Sequence, residues 1–287
     1  MTSATGRPPL AIFAGGGDLP LKLAEACKAQ SRDYLVFGIE GSANNSVEAH
    51  PHHWVSMGQV GHILKLMKRA KSEEVVFAGY VKRPDFSTVK VDFTGAKLLP
   101  KIIASLPKGD DALLKTLVDY FDSQGFRVVG AETVFSDLLA DRGVMGAHRP
   151  VEEDLADIDR AVDVIRALGP FDVGQAALVV SNAVLAVEGA EGTDAMLDRC
   201  SLFDPQKLGT RQARRGVLVK IPKPEQERRV DLPTIGVRTI SKAGAAGLRG
   251  IAIAAGGALI LDREAVVEAA DAEGLFLVGI DEKAAGS

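Results

Sequence analysis

The chain begins with an apolar run, a glycine turn and a helical pattern, and this succession constrains the fold more than any other feature of the sequence. Residues 10–14 are apolar and predict a strand. The turn that follows consists of Gly15, Gly16, Gly17, Asp18, Leu19 and Pro20. In α/β proteins such a turn presents backbone N–H groups to a phosphate at a helix N-terminus. The sequence therefore predicts a Rossmann-like, mostly parallel sheet with a nucleotide beside the turn; a tight sheet connection that binds nothing is the alternative.

The spacing of these glycines argues against a dinucleotide cofactor. Pro20 occupies the last glycine position of a G-x-G-x-x-G motif, and no Lys-Ser/Thr pair follows to complete a P-loop. An NAD(P)-dependent oxidoreductase is thus a weaker hypothesis than a site for a single nucleotide.

Further polar residues are expected at the same edge of this predicted sheet. A strand over residues 74–79 ends in Gly79 and is followed by Lys82 and Arg83, which places both cations at the edge where open α/β sheets bind ligands. A charge pair on the rim explains them equally well. Asp110 and Asp111 open a later helix: one is expected to cap it, and the other is a candidate for a ribose hydroxyl or a base.

Length and composition set the class of protein. A chain of 287 residues exceeds the usual single domain, and 46% apolar residues are ample for two cores. We predict an α/β protein with a nucleotide-binding domain over residues 1–136, a linker over 137–152 and a mixed α/β domain with hairpins over 153–287. The net charge of -4 argues against a nucleic-acid partner. Cys27 and Cys200 are expected to be reduced and buried.

The expected location is the cytoplasm. The first nine residues lack the apolar core of a signal peptide, and no apolar run is long enough to span a bilayer. Contact with a membrane surface stays open. The basic run Lys207, Arg211, Arg214 and Arg215 favours a solvated helix face, although a lipid head-group contact would use the same residues.

The second half combines a hairpin with a cluster of acidic and hydroxyl side chains. Residues 175–187 read as a β-hairpin about Ser181-Asn182. Glu188 and Glu191 follow directly, and either Thr193 or Asp194 can cap the next helix. Carboxylates gathered at a helix start require a cation, while the helix N-terminus offers donors to an anion. This pattern is typical of a site for Mg²⁺ and phosphate, with helix capping and surface charge as the alternative.

The stretch from residue 220 to residue 236 carries the remaining charged candidates. Three prolines prevent a helix here, so the sequence predicts a stiff, exposed arm. Lys220 and Lys223 lie on it with Asp231, a combination that suits a phosphorylated ligand with a divalent ion. A solvated loop with weak surface salt bridges is the alternative.

Six sequence blocks, in order along nearly the whole chain, together resemble one known family. They are Ala14-Gly-Gly-Gly-Asp-Leu-Pro20, Gly79-x-Val-x-Arg-Pro84, Gly109-Asp-Asp-Ala-Leu-Leu114, Asp172-Val-Gly-Gln175, Val187-Glu-Gly-Ala-Glu-Gly-Thr-Asp-Ala-Met196 and Lys223-Pro-x-Gln-x-x-Arg-x-Asp-Leu-Pro-Thr-Ile-Gly236. The chain resembles the LpxI family, the UDP-2,3-diacylglucosamine pyrophosphatases of lipid A biosynthesis in Gram-negative bacteria.

The resemblance implies a Mg²⁺-dependent hydrolase that converts UDP-2,3-diacylglucosamine into UMP and 2,3-diacylglucosamine 1-phosphate, with water attacking the sugar-side phosphorus. It also implies two domains that close on the substrate. Asp231 would be metal ligand or water-orienting base, and Glu191 and Asp194 would assist the metal. The phosphate-binding residues would be Gln175, Thr193, Lys220 and Lys223. A protein that binds a nucleotide-linked lipid without cleaving it is the competing class. The sequence leaves open peripheral contact with the inner membrane, a homodimer and the acyl-chain preference.

Overall fold

The computed structural model describes residues 6–82, 90–224 and 226–281 of the chain. It divides into two compact units, Met1–Ser136 and Asp137–Ser287, each with its own sheet. The prediction of an α/β fold with a mostly parallel first sheet and a mixed second sheet is confirmed.

The first unit is built on a parallel five-stranded sheet of order β3-β2-β1-β4-β5. Its strands are β1 Leu10–Ala14, β2 Tyr34–Ile39, β3 His52–Val55, β4 Glu74–Ala78 and β5 Arg127–Val128. Its helices are α1 Leu19–Ala29, α2 Val60–Arg69, α3 Phe93–Ser105, α4 Asp110–Ser123 and α5 Ala131–Val134. The strand order reverses between β1 and β4, and open α/β sheets bind ligands outside the carboxyl ends of the strands at such a point.

Aromatic packing explains why the centre of this sheet is apolar throughout. β1 is buried along its whole length, and the Phe13 ring stacks on Phe37 of β2 and Phe77 of β4 with centroids 5.2 Å apart. Strands buried on both faces read as continuous apolar runs, which is the pattern seen in residues 10–14.

The second unit has a six-stranded mixed sheet of order β6-β13-β11-β9-β7-β8 and a two-stranded sheet of β10 and β12. Its strands are β6 Gly143–Met145, β7 Ala176–Val180, β8 Ala183–Val187, β9 Val217–Lys220, β10 Thr234–Ile235, β11 Gly250–Ala254, β12 Leu259–Ile260 and β13 Phe276–Ile280. Its helices are α6 Glu152–Leu168, α7 Gly192–Cys200, α8 Pro205–Leu208, α9 Val237–Ala245 and α10 Arg263–Glu273. β9, β11 and β13 are parallel; β6, β7 and β8 run antiparallel to their neighbours.

The predicted hairpin is present as β7 and β8. Ser181 and Asn182 have φ angles of 48° and 64°, so both turn residues are left-handed, as a tight hairpin turn requires. Both turn N–H groups donate to the carboxylate of Asp157, at 3.0 and 2.6 Å, and this accounts for a buried aspartate on α6.

One stretch differs from the sequence expectation. Residues 137–152, predicted as a linker, lie in the second unit and supply β6, which pairs antiparallel with β13. A three-residue edge strand is too short to give a readable alternation. The two short strands of residues 250–261 pair with different neighbours: β11 pairs with β9 and β13, whereas β12 pairs with β10 in the small sheet.

Both cysteines are buried and unpaired with each other, as expected. Within the described ranges, no helix has the length and apolar character that a membrane-spanning segment needs.

Candidate active site

One edge of the second sheet gathers most of the predicted phosphate-binding residues. Because β7 and β8 are antiparallel to each other and β7 is antiparallel to β9, the start of β7 lies beside the ends of β8 and β9. Ala176 pairs with Lys220, the last residue of β9, and the N–H of Glu188 donates to the Ala176 carbonyl at 2.8 Å. Gln175, Glu188 and Lys220 therefore meet at this edge.

A buried chain of polar contacts begins at Lys220. Its Nζ donates to Thr193 Oγ1 at 2.8 Å and to the Thr234 carbonyl at 3.1 Å. Thr193 in turn donates its hydroxyl proton to Glu188 Oε1 at 2.7 Å, and Glu188 Oε2 accepts the Gln175 N–H at 3.0 Å. Since each of these groups has a defined partner, the ammonium is held in one position.

Burial and neighbouring charges act in opposite directions on Lys220. Desolvation lowers the pKa of its ammonium group below the ordinary value, while the carboxylates of Glu188, Asp231 and Asp194 raise it. These three carboxylates therefore offset part of the cost of burying the positive charge. A cation of this kind is suited to holding a phosphate oxygen in a region with little water.

A second group of contacts surrounds Asp231. Gln226 Nε2 lies 2.5 Å from Asp231 Oδ2, 2.6 Å from the Asp231 carbonyl and 3.1 Å from Gln175 Oε1. Gln226 Oε1 accepts the Lys223 N–H at 2.8 Å, and Lys223 Nζ forms an ion pair with Asp172. Gln226 thus links the loop after β9 to the residue that precedes β7.

The Asp231 carboxyl is a stronger base than an ordinary aspartate. Desolvation raises its pKa above 3.8, and the positive charge of Lys223 and the Gln226 hydrogen bond only partly oppose this. A carboxyl group with a raised pKa beside two lysines is typical of a catalytic site.

The predicted arm is less exposed than the sequence indicates. Lys220, Ile221, Pro222 and Gln226 are buried, because the segment follows β9 into the sheet edge and is tied down by Gln226. Proline has no backbone N–H group, so Pro222 can be buried here without leaving an unsatisfied donor.

The three predicted metal ligands have different surroundings. Asp194 forms an ion pair with Arg238 at 2.7 Å, and Glu191, which is more exposed, pairs with Arg199 at 2.9 Å. Hydrogen bonds from backbone N–H groups, and after them the Arg199 pair, lower the pKa of Glu191. Throughout the described part of the chain, no three or more Asp, Glu, His or Cys side chains are grouped for a metal ion.

These residues therefore fit a Mg²⁺ ion shared with the substrate phosphates, and they do not fit a cage of protein carboxylates. A cage made entirely of carboxylates is not assembled from Asp231, Glu191 and Asp194 in the described ranges. Mg²⁺ is more often held by one or two carboxylates together with substrate phosphates, and Asp231 beside the lysine pair suits that arrangement.

In the first unit, the glycine turn packs against the end of β4. Gly15 N–H donates to the Ala78 carbonyl at 2.8 Å, and Gly16 N–H donates to the Tyr80 carbonyl at 2.7 Å. A Cβ atom on Gly15 would lie 2.4 Å from the Tyr80 carbonyl oxygen. Close packing thus explains the first two glycines, and their N–H groups are used within the protein. Gly17 has a φ angle of 87° and leads through Asp18 into α1.

Gly79 offers a direct test of this packing. It has a φ angle of 81°, and a Cβ atom there would lie 2.2 Å from the Gly16 carbonyl oxygen; Gly125 has a φ angle of 86° with no heavy atom within 4 Å. We expect Gly125→Ala to lower the free energy of unfolding by about 1 kcal/mol, from backbone strain alone. Gly79→Ala should cost at least about 2 kcal/mol more, because it adds a clash. Urea denaturation of both variants measures this, and equal costs would contradict the packing argument.

A groove lies at the carboxyl edge of the same sheet. It has a volume of about 550 Å³ and is lined by residues that include Ser42, Asn44, Trp54, Tyr80 and Lys82. Tyr80 is 63% exposed, so an aromatic face is available for a base. Lys82 lies here as predicted; Arg83 falls outside the described residues.

The two aspartates at the start of α4 do not act as caps. Gly109 occupies the N-cap position with a φ angle of 100°, while Asp110 and Asp111 lie in the first helical turn. Asp111 forms an ion pair with Lys115 at 2.8 Å. Carboxylates in the first turn stabilise a helix through its dipole, which explains both residues without a ligand.

The basic run of the second unit has internal partners. Arg214 donates to the carbonyls of Gly244 and Leu248 and forms an ion pair with Glu273, which also pairs with Arg211. Arg215 donates to the Gln206 carbonyl. These contacts favour a structural role over a head-group contact.

Three residues of the cluster were not singled out from the sequence as site residues: Asp172, Glu188 and Gln226. Asp172 and Gln226 lie within the matched blocks, but nothing in their local pattern indicates that Asp172 contacts Lys223, or that Gln226 contacts Gln175, 51 residues away in each case. In the sequence, Glu188 and Glu191 are equivalent carboxylates before the same helix. Only the sheet register distinguishes them, because it places Glu188 next to Ala176 and leaves Glu191 on the surface.

Fold and site together define a two-unit α/β protein with a Rossmann-type sheet in one unit and a buried lysine–carboxylate cluster at a sheet edge in the other. The profile of the LpxI N-terminal domain matches residues 9–138, and that of the LpxI C-terminal domain matches residues 141–278. The chain belongs to the LpxI family.

A curated protein is similar to this chain along nearly its whole length. UDP-2,3-diacylglucosamine pyrophosphatase LpxI of Caulobacter vibrioides is 47% identical over 272 residues, which is 95% of this chain and 97% of that protein. Among solved structures, CobK precorrin-6A reductase aligns with 98% of this chain and 90% of its own, at 13% identity and a TM-score of 0.32, which supports no inference.

Proposed function

We propose that the protein hydrolyses the diphosphate of UDP-2,3-diacylglucosamine to UMP and 2,3-diacylglucosamine 1-phosphate. The observation that carries this proposal is the 47% identity, over 95% of the chain, to a protein named for that activity. The cluster of Lys220, Thr193, Gln226 and Asp231 supports it, since it combines a buried cation with a basic carboxylate. The substrate is a lipid, so we expect the protein to meet it at the cytoplasmic face of the inner membrane.

Each unit is assigned one part of the substrate. The first unit would hold the uridine nucleotide in the groove lined by Trp54, Tyr80 and Lys82. The second unit would hold the phosphate of the acylated sugar through Lys220 and Lys223. Because Thr193 accepts from Lys220 and donates to Glu188, it fixes the ammonium where a phosphate oxygen would bind.

The chemical step is assigned to Asp231. It would orient a water molecule towards the sugar-side phosphorus and accept its proton, a role that its raised pKa favours. The bond between that phosphorus and the bridging oxygen breaks, and UMP leaves with the bridging oxygen. Lys220 and Lys223 would stabilise the charge that develops on the phosphate oxygens.

Mg²⁺ is the proposed cofactor. Asp231 would hold it jointly with oxygens of the diphosphate, and Asp194, whose charge also acts on Lys220, is the candidate for a second carboxylate. When bound, the ion would neutralise part of the diphosphate charge and lower the pKa of a bound water.

The site of water attack can be measured with oxygen-18. Hydrolysis of UDP-2,3-diacylglucosamine in H₂¹⁸O with Mg²⁺ is expected to place the label in the sugar phosphate and leave UMP unlabelled, as read by mass spectrometry of both products. Label in UMP would contradict attack on the sugar-side phosphorus. Tight binding of the intact substrate with no products would instead favour a non-hydrolytic binding protein.

A further inference from the structure

The outer face of helix α3 carries large apolar side chains that the fold leaves exposed. Phe93 is 77% exposed and Ile103 is 51% exposed, and Val91 just before the helix is 45% exposed. The inner face is different, since Gly95, Leu98 and Ser105 are buried. Exposed apolar residues gathered on one helix face mark an interaction surface more often than residues scattered singly.

The same face is positively charged. Residues 90–109 contain four lysines and a single aspartate, in a chain whose net charge is -4. Lys90, Lys97 and Lys101 are exposed, and Lys97 Nζ lies 4.3 Å from the centroid of the Phe93 ring. The aspartate, Asp92, is half-buried and caps the helix, accepting the N–H groups of Gly95 and His62. At its α4 side, Lys101 also lines a groove that contains Asp119.

We propose that this outer face of α3, defined by Val91, Phe93, Lys97, Lys101 and Ile103, docks the protein on the surface of a bilayer that contains anionic lipids. Aromatic and aliphatic side chains flanked by lysines are typical of helices that lie in a membrane interface. Each lysine near an anionic surface contributes attraction that screens with salt. The choice of a lipid surface rests on the proposed function, because the proposed substrate carries two acyl chains.

The position of α3 within the first unit agrees with this use. Asp92 N–H donates to the carbonyl of Gly58, which follows β3, so the helix begins at the carboxyl edge of the sheet. The groove assigned to the nucleotide lies at the same edge, with Trp54 of β3 in its wall. A protein docked through α3 would therefore have this edge near the bilayer.

A second copy of the chain is a less suitable occupant. In a two-fold contact through this face, Lys97 and Lys101 would meet the same residues of the other copy, and like charges directly opposed are unfavourable. An anionic bilayer instead complements them.

The test is flotation of the full chain with vesicles, without substrate. Wild-type protein should bind phosphatidylethanolamine vesicles containing phosphatidylglycerol, bind phosphatidylcholine vesicles weakly, and dissociate as salt rises. Lys97→Gln with Lys101→Gln should weaken partitioning about 30-fold, which corresponds to about 1 kcal/mol per lysine. Phe93→Ser with Ile103→Ser should weaken it by at least about tenfold. Leu202→Ser, which replaces an 85% exposed residue of the second unit, is the matched control and should bind as wild type.

The proposal is overturned if the wild-type protein does not bind anionic vesicles, or if Leu202→Ser weakens vesicle binding as much as the α3 variants do. It is also overturned if the wild-type protein is a dimer, and Phe93→Ser with Ile103→Ser converts it to monomers without changing vesicle binding. Hydrolysis of detergent-solubilised substrate distinguishes this inference from the proposed function. The α3 variants should keep wild-type kcat there, whereas inactivity of every form with normal vesicle binding would count against the proposed function alone.

Discussion

Replacing Asp231 with asparagine is expected to lower kcat for hydrolysis of UDP-2,3-diacylglucosamine by about a thousandfold, with the protein still folded. Asparagine has the same shape, and its carbonyl oxygen can still accept from Gln226, which lies 2.5 Å from Asp231 Oδ2 in the wild type. What the variant loses is the negative charge and the ability to take a proton. Steady-state kinetics with Mg²⁺ present measures the effect.

The matched control for this variant is Asp198→Asn. Asp198 belongs to the same unit and pairs with Lys242, but its side chain is 62% exposed and is not part of the cluster. Its replacement should leave kcat within about twofold of wild type, as surface substitutions usually have small effects. If Asp231→Asn turned over at the wild-type rate, or if both variants failed equally, Asp231 would not have the proposed role.

Stability should respond to Asp231→Asn in the opposite direction from activity. Burial raises the pKa of Asp231 above 3.8, so the folded protein holds this proton to higher pH than the unfolded chain does. The contribution of this group to stability is therefore fully present below about pH 3.8 and is lost as the pH rises through the folded pKa. Asparagine carries no ionisable proton and avoids that loss. We expect Asp231→Asn to unfold at a higher urea concentration than wild type at pH 7, and the difference to disappear in acid.

This opposition has a physical origin. A catalytic carboxylate must be partly desolvated to act as a base near neutral pH, and desolvation of a charge costs stability. Lys223 and Gln226 lower the cost only in part, since their contributions to the pKa of Asp231 are smaller than that of burial.

The first unit could be predicted from the sequence because its strands and turns are specified by residues that are close together in the chain. Continuous apolar strands, a glycine turn and short connections specify a parallel sheet whose strands form in chain order around β1. The role of the glycines could not be predicted in the same way. Gly15 and Gly16 lie against the Tyr80 segment, a contact between residues far apart in sequence, so a phosphate loop and a packed turn look the same in the sequence.

In the second unit, the residue types of the site could be predicted but their partners could not. Lys220, Thr193 and Asp231 were predicted as site residues. Lys220 donates a hydrogen bond to Thr193, and the charge of Asp231 acts on Lys220. The roles assigned to Glu191 and Asp194 remain predictions. Glu188, which is also buried, became distinguishable from Glu191 only through the pairing of β7 with β8 and β9. Register is set by contacts that no short window of sequence contains.

Lys220→Met is expected to lower kcat/KM by two to three orders of magnitude, the typical cost of removing one preorganised donor to a developing oxyanion. Methionine has a similar length and no charge, so the apolar part of the side chain can still pack. The hydroxyl of Thr193 and the carbonyl of Thr234 would each lose the ammonium that contacts them at 2.8 and 3.1 Å. The comparison variant is Lys242→Met, which removes a lysine paired with Asp198 in the same unit and should stay close to wild type.

Two further measurements on Lys220→Met distinguish a direct role from a structural one. The positive charge of Lys220 lowers the pKa of Asp231, so its removal should shift the acidic limb of the pH–rate profile to higher pH. Lys220→Arg should not restore activity, because a planar guanidinium cannot occupy the place of an ammonium held between Thr193 and Thr234. The idea fails if the acidic limb stays in place while activity falls, since the lysine would then act on the fold and not on the charge of the site. It also fails if arginine restores full activity, because any cation in this region would then suffice and the contacts with Thr193 and Thr234 would have no role in positioning the phosphate.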